Sequence, residues 1–310
     1  MSVTVLSRLV DPDVLIPRTE YANGREAYCC SEHRFTPWVF EHAEIAERDC
    51  TESWPNEWGD FKKVFGLLNS YYTELNGNSQ RDLTHDLKRS ERTRLPKKNW
   101  KVSRREYFEH FMRSQGMMLR ELVETIYQNL KDAMPQAPRL HYASFPVSRF
   151  EQKYVIGGQR YISRPDGAAM VSPKERRLPI ISFAGWYEGQ TWSEFLAEIL
   201  SIMLGQLAKN IRVDFQDQEV FIVGFYGRCI YIARGYFTTD LISQVQLHGY
   251  TEDETIEIQF TRGCNLSSRE DWLEAMDALT GLLRYQLSGN AMVSALKPYL
   301  HNDASPKVYG

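Results

Sequence analysis

The chain is 310 residues long, 43% hydrophobic and 25% charged, with 15 Phe, 17 Tyr and 7 Trp, enough apolar material for a sizeable core. That composition excludes a chain disordered throughout, and a formal net charge of −3 excludes a protein whose overall charge drives sequence-independent binding to phosphate backbones. Cys29, Cys30, Cys50, Cys229 and Cys264 form an odd set without framework spacing, which reads as reduced thiols of an intracellular protein.

Arg8 and Asp11 interrupt the opening MSVTVLSRLVDPDVLIPRTEY well short of the ~20 apolar residues of a membrane span. The opening also lacks the basic start of a secretory signal. Nucleus or cytoplasm is the expected location, with no membrane partner. Across the first 55 residues Pro12, Pro17, Pro37 and Pro55 break any long periodicity, so an irregular arm or lid is expected there. From Phe61 to Leu75 the apolar positions recur at three and four, which predicts a helix ended by Asn76, Gly77 and Asn78.

The stretch from Lys88 to Arg105 is a basic block: Lys88, Arg89, Arg92, Arg94, Lys97, Lys98, Lys101, Arg104 and Arg105 stand against the single acid Glu91. A solvated loop is its plain interpretation; a nuclear-import or phosphate-binding patch is the functional one, with Trp100 as a candidate stacking platform. Ser103 with Glu106 three on predicts a capped helix running to about Ala133, with Leu119, Leu122, Val123, Ile126 and Leu130 in its buried stripe and Glu121 and Glu124 on its flank.

Beyond Pro138 the period changes to two. Tyr154–Ile156 and Arg160–Ser163 read as a hairpin about Gly157-Gly158, and Leu178–Phe183 as a further strand. Thr191 with Glu194 caps a helix bearing Phe195, Ile199, Ile202, Met203 and Leu207. Glu219–Phe225 and Cys229–Ala233 predict a second strand pair, Thr255–Phe260 another strand, and Ser267 with Glu270 a last helix through Tyr285.

That order, with RYISRPDGAAM on a strand, LPIISF on its neighbour, VFIVGFYGRCIYIARGYF after the next helix and NLSSREDWLEAMDALTGLLRY at the close, resembles the PD-(D/E)XK nuclease superfamily over residues 120 to 290. The likeness is particularly to nuclease-like domains found in fungal proteins. It implies an α/β (α+β) chain with a restriction-endonuclease-like mixed sheet flanked by helices. The expected divisions are a helical and irregular N-terminal region at 1–102, the nuclease-like domain at 103–290 and a tail at 291–310.

In that family an Asp on one strand and an acid and Lys two apart on the next hold Mg²⁺ and activate water. The resemblance puts Asp166 at the motif Asp, Glu121 or Glu124 at the helix acid, and Gln206 at a helix Gln that some members use. It also puts Ser182 where the second acid belongs and Ala184 where the Lys belongs, and neither side chain suits the task. The resemblance therefore implies a catalytically degenerate nuclease fold without a cofactor, serving as a binding or assembly module for a protein partner, with nucleic acid as a second candidate. Its competitor is an active Mg²⁺ nuclease using Asp166 with a displaced acid, Glu188, Glu194 or Glu198, and Lys153 or Lys174.

Each residue also has a plainer interpretation. Asp166 before Gly167 suits an Asx turn, Glu121 and Glu124 suit an exposed helix face, and Gln is simply a good helix former. Phe225, Tyr226, Tyr231 and Tyr236 among Arg228 and Arg234 suit a base-stacking surface or, more simply, cross-strand packing. Cys29, Cys30, His33, His42 and Cys50 match no common zinc spacing. A third expectation is that the first 100 residues form the surface for a larger complex while the α/β domain is its scaffold.

Overall fold

A computed structural model describes residues 3–18, 35–41, 51–76, 90–95, 109–133, 143–147, 151–172, 177–187, 189–211, 216–251, 254–293 and 295–296. A large mixed sheet with helices on both faces organises them. Its strands are β1 (Val3–Leu9), β2 (Glu91–Leu95), β3 (Ala143–Ser144), β6 (Gly167–Val171), β7 (Leu178–Phe183), β8 (Gln218–Tyr226), β9 (Cys229–Phe237), β10 (Thr255–Phe260) and β11 (Cys264–Asn265). The order across the sheet is β2-β1-β10-β9-β8-β7-β6-β3, with β11 beside β9. β1 and β10 run parallel, as do β7 and β8; the other neighbours are antiparallel. β4 (Gln152–Ile156) and β5 (Gln159–Ser163) form a separate hairpin. It turns at Gly157 and Gly158, whose φ of 55° and 76° only glycine adopts without strain.

One face of the sheet is covered by α3 (Lys62–Asn76), α4 (Glu109–Ala133) and α7 (Arg269–Leu287), whose buried residues join Phe221, Val223, Phe225, Ile230 and Ile232 in one core. Trp272 of α7 anchors that core. It stacks on Phe65 at 4.9 Å, meets Phe61 edge-on at 5.2 Å, and donates its indole N–H to the Phe35 carbonyl at 2.8 Å. Short helices α1 (Pro12–Leu15) and α2 (Trp38–Glu41) and the 3-10 turn Thr51–Asn56 add Leu15, Val39, Phe40 and Trp54 to the same core.

The other face packs against α5 (Trp192–Asn210) and α6 (Thr239–Leu247), with Val220, Ile222, Tyr231, Ala233, Ile256 and Ile258 directed towards them. α5 is the crossover that lets β7 and β8 run parallel. It starts at a complete capping box, in which the Thr191 hydroxyl accepts from Glu194 N and the Glu194 carboxylate accepts from Thr191 N. Such a cap stabilises a helix by about 1 kcal/mol.

Several sequence expectations need correction. The first residues form a strand where an irregular arm is expected: Val3 and Val5 alternate into the core, and β1 sits inside the sheet between β2 and β10. Part of the basic block is a strand, β2, because Leu95 is buried and Arg92 and Arg94 fall on alternate, exposed positions. The segment 1–102 thus supplies strands to the same sheet as 103–290, and Trp54 and Phe65 to the same core.

RYISRPDGAAM is two strands, not one. Pro165 offers no N–H to a ladder, so β5 ends at Ser163 and the sheet strand β6 begins at Gly167. The last helix is capped one residue later than expected: Ser268 accepts from Asp271 N. The predicted start at Ser103 lies outside the described residues, which show that helix from Glu109.

Candidate functional site

Asp166 stands immediately before β6, where its backbone N–H donates to the Phe183 carbonyl at 2.8 Å and so closes the β6–β7 ladder. The residue is 7% exposed, and its Oδ2 accepts from Gly185 N at 2.9 Å. A carboxylate taking a backbone N–H satisfies part of its demand within the fold. The floor beneath it is tight. A Cβ on Gly185 would fall 1.5 Å from Gln115 Oε1, and one on Gly116 would fall 2.5 Å from the Asp166 carbonyl.

The helix turn beside Asp166 therefore carries Gln115 and Gly116. Gln115 is fully buried and donates from Nε2 to the Trp186 carbonyl at 2.7 Å and to the Tyr71 hydroxyl at 3.1 Å. Its Oε1 has no partner among the described residues. Glu121 and Glu124 lie roughly 9 and 13 Å further along the helix axis from Gln115, at 1.5 Å per residue. Each is engaged where it stands: Glu121 binds Lys63 of α3, and Glu124 binds Arg120 at 3.3 Å one turn back. The helix periodicity that placed these acids on the flank was right, but the end of α4 that approaches Asp166 is its beginning.

Ser182 is paired in register with Ala168, one strand over from Asp166, and its hydroxyl faces α5. There it belongs to a buried chain of neutral polar groups. Its hydroxyl donates to Gln206 Oε1 at 2.6 Å and accepts from Gln152 Nε2 at 3.3 Å, while Gln206 Nε2 donates to the Ile180 carbonyl at 3.2 Å. Ser163 closes the group with a hydroxyl 3.4 Å from the Gln152 carbonyl oxygen. Ser182, Gln206 and Gln152 are all at 0% exposure. The sequence singled out Gln206 and Ser182 separately; the structure joins them through the β4–β5 hairpin, which packs on α5.

Ala184 follows β7, and its carbonyl accepts from the Tyr231 hydroxyl at 2.7 Å. Burial holds the Tyr231 hydroxyl protonated far above its ordinary range, and the nearby charges of Asp166 and Glu198 add to the effect. Tyr71 is raised in the same way, by burial first, with Asp166 a smaller contributor. Glu198, buried on α5, accepts from Gln190 Nε2 at 2.8 Å. Glu194 is spent on its capping box and Lys153 is exposed on the outer side of the hairpin.

Glu188 and Lys174 lie outside the described residues, as do Lys88, Arg89, Lys97, Lys98, Trp100 and Lys101 of the basic block and all of Cys29, Cys30, His33, His42 and Cys50. Among the described residues no three His, Cys, Asp or Glu side chains come together as metal ligands. Among the described residues, the oxygens around Asp166 are engaged in hydrogen bonds and make a poor set for Mg²⁺, which takes six oxygens in near-octahedral array. The Phe183 carbonyl is taken by Asp166 N, the Ala184 carbonyl by Tyr231, and the Ser182 hydroxyl by Gln206.

Sequence reasoning missed Gln115, Gln152, Gln190 and Tyr231 as parts of this region. The signal available was burial of polar residues within apolar runs, which a single sequence does not distinguish from exposure. No family model matches the chain, and a comparison with curated proteins returns no match. No helix among the described residues is long and apolar enough to cross a membrane.

Proposed function

We propose that the chain is a restriction-endonuclease-like protein whose hydrolytic centre has been replaced by structural hydrogen bonds, and that it acts as a binding or assembly module for a protein partner. The observation that carries this is the fate of the motif positions. Ser182 stands where the second acid belongs and is locked to Gln206 at 2.6 Å, and Asp166 is tied to Gly185 N at 2.9 Å. A residue committed to a dry hydrogen-bonded chain is poorly placed to hold a hydrated cation. The α4-β6-β7-α5-β8 succession supports the nuclease-like descent, with β7 and β8 parallel across α5.

Calorimetric titration of Mg²⁺ and of Mn²⁺ into wild type and Asp166→Asn tests this. The expected result is no saturable heat that depends on Asp166; an Asp166-dependent site would overturn the proposal.

A second reading, an active nuclease with a displaced acid, draws on one observation. The Tyr231 hydroxyl, which donates to the Ala184 carbonyl, is raised by burial first and then by the charges of both Asp166 and Glu198. In that reading Glu198 is the displaced acid, and Glu198→Gln removes cleavage together with Asp166→Asn.

A further inference from the structure

The β4–β5 hairpin packs one face on α5 and turns the other outwards. Gln152, Tyr154 and Ser163 lie on the packed side, where the Tyr154 and Ser201 hydroxyls share a hydrogen bond at 2.8 Å and a Cβ on Gly205 would fall 2.2 Å from the Ser163 hydroxyl. Alternation sends Glu151, Lys153, Val155, Arg160, Ile162 and Arg164 to the other side, and all six are exposed. In register, Lys153 lies opposite Ile162 and Val155 opposite Arg160. The outer face is thus a checkerboard. Each aliphatic side chain has one cation about 5 Å across the hairpin and the other about 7 Å along its own strand.

The row at the base of the hairpin has the pairing that these two rows lack: Arg164 binds Glu151 across the strands at 2.9 Å. Lys153 and Arg160 form no ion pair among the described residues. At the turn, Gly157 N and Gly158 N donate to the carbonyls of Val245 and Gln246 at 2.9 and 3.0 Å, which brings the next residue, Leu247, beside the hairpin. Val155, Ile162 and Leu247 are 36%, 50% and 70% exposed. Three exposed aliphatic residues gathered at one hairpin make a patch, where single ones would need no explanation.

We propose that this outer face docks an amphipathic helix of a partner protein that presents Glu or Asp beside Leu or Ile on one side. This rests on the reading of the chain as a protein-binding module and names the partner's chemistry. α5 covers the inner face of the hairpin, and a partner helix supplies the layer that the outer face lacks. Residues three and four apart on a helix lie about 5–6 Å apart, close to the spacing of cation and aliphatic on the checkerboard. A helix crossing the strands therefore sets an acid on Arg160 while its apolar neighbour covers Val155, and does the same at Lys153 and Ile162.

Other occupants fit this face less well. A second copy brings the same two cations and one acid, Glu151, already bound to Arg164, so face-to-face association opposes like charges. Sequence-independent binding of single strands uses aromatic platforms for the bases, and membrane interfaces favour Trp and Tyr; the outward positions hold neither.

The test uses the full chain and labelled synthetic helical peptides, read by fluorescence anisotropy. One carries Leu and Glu on one side, a second has Lys in place of each Glu, and a third has Ser in place of each Leu. Only the first is expected to bind. Arg160→Glu weakens it about tenfold while Arg160→Lys retains it, and Ile162→Ser, which leaves the charge unchanged, also weakens it about tenfold. Both positions are exposed, and an unchanged circular-dichroism spectrum checks that the variants fold.

Failure of the Leu/Glu peptide to bind, equal binding of the Lys or Ser peptide, or wild-type affinity in Arg160→Glu or Ile162→Ser overturns the proposal. So does Arg160-dependent binding of a single-stranded oligonucleotide or of phosphatidylserine vesicles that is tighter than that of the peptide, or an Arg160-dependent dimer; each assigns the face to that occupant instead. Absence of peptide binding without Asp166-dependent cleavage overturns the docking face alone; Asp166-dependent cleavage overturns the reading beneath it.

Discussion

Replacing Ser182 tests the structural role of its hydroxyl against the vacated catalytic position that the proposed function assigns to it. Its hydroxyl donates to Gln206 Oε1 and accepts from Gln152 Nε2, with all three side chains at 0% exposure. Ser182→Ala strands a buried acceptor and a buried donor. At about 1–3 kcal/mol for each unsatisfied group, with partial relaxation, the loss is about 2–4 kcal/mol. Ser182→Asp would supply the acid that the proposed nuclease-like reading finds missing, but it sets a carboxylate against the Gln206 side-chain carbonyl oxygen in a dry site. Its cost exceeds that of the alanine and falls as pH drops through the carboxyl pKa that burial raises in the folded state, levelling off below the unfolded value of about 4.

Urea unfolding with linear extrapolation reads both variants. A double-mutant cycle with Gln206→Met reads their coupling, expected at about 1 kcal/mol or more. The reasoning is refuted if Ser182→Asp is as stable as wild type at neutral pH, and more sharply if it also takes up Mg²⁺.

Other outcomes follow from other sites. Glu219, whose side chain is fully buried, accepts from Arg234, the Tyr285 hydroxyl and Met292 N at 2.9 Å, and so ties the segment after α7 to β8. Glu219→Ala leaves a largely buried guanidinium uncompensated and is expected to lose about 3–5 kcal/mol in the same unfolding assay; a loss under 1 kcal/mol would show that the clasp carries little. Gly185→Ala forces a methyl into Gln115 Oε1, so a strongly lowered melting temperature is expected, with partial recovery in Gly185→Ala/Gln115→Ala. Asp217 is partly exposed, and hydrogen bonds from Tyr236 and Thr239 depress its carboxyl pKa. A depressed folded value means that its stabilisation is present above the unfolded pKa and lost as pH falls through the folded one. In Asp217→Asn the acid limb of the stability curve should flatten over that window, and carboxyl titration by NMR should place the wild-type value below that of a free aspartate.

Where periodicity and capping agree, the sequence is a good guide. The helix from Lys62, the capping box at Thr191, the hairpin about Gly157-Gly158 and β8–β9 all appear where alternation or three-and-four spacing places them. The departures have physical causes. Gly167, Ala168 and Ala169 are small residues without β-branched signal, so β6 is visible only through the burial its neighbours impose. β2 carries Arg and Glu at exposed positions and owes its state to pairing with β1, a contact with a remote segment of the chain. The resemblance singles out Asp166 and Ser182, whereas nothing in the sequence singles out Gln115 beside Asp166, because contact between α4 and the start of β6 depends on the packing of the whole sheet.

The most direct measurement is cleavage of single- and double-stranded DNA and RNA by the purified chain in excess, with Mg²⁺ or Mn²⁺, beside Asp166→Asn and Glu198→Gln. A pseudo-nuclease scaffold predicts intact substrates in every lane. Cutting by the wild type that both substitutions abolish would contradict it and identify Asp166 and Glu198 as a working pair.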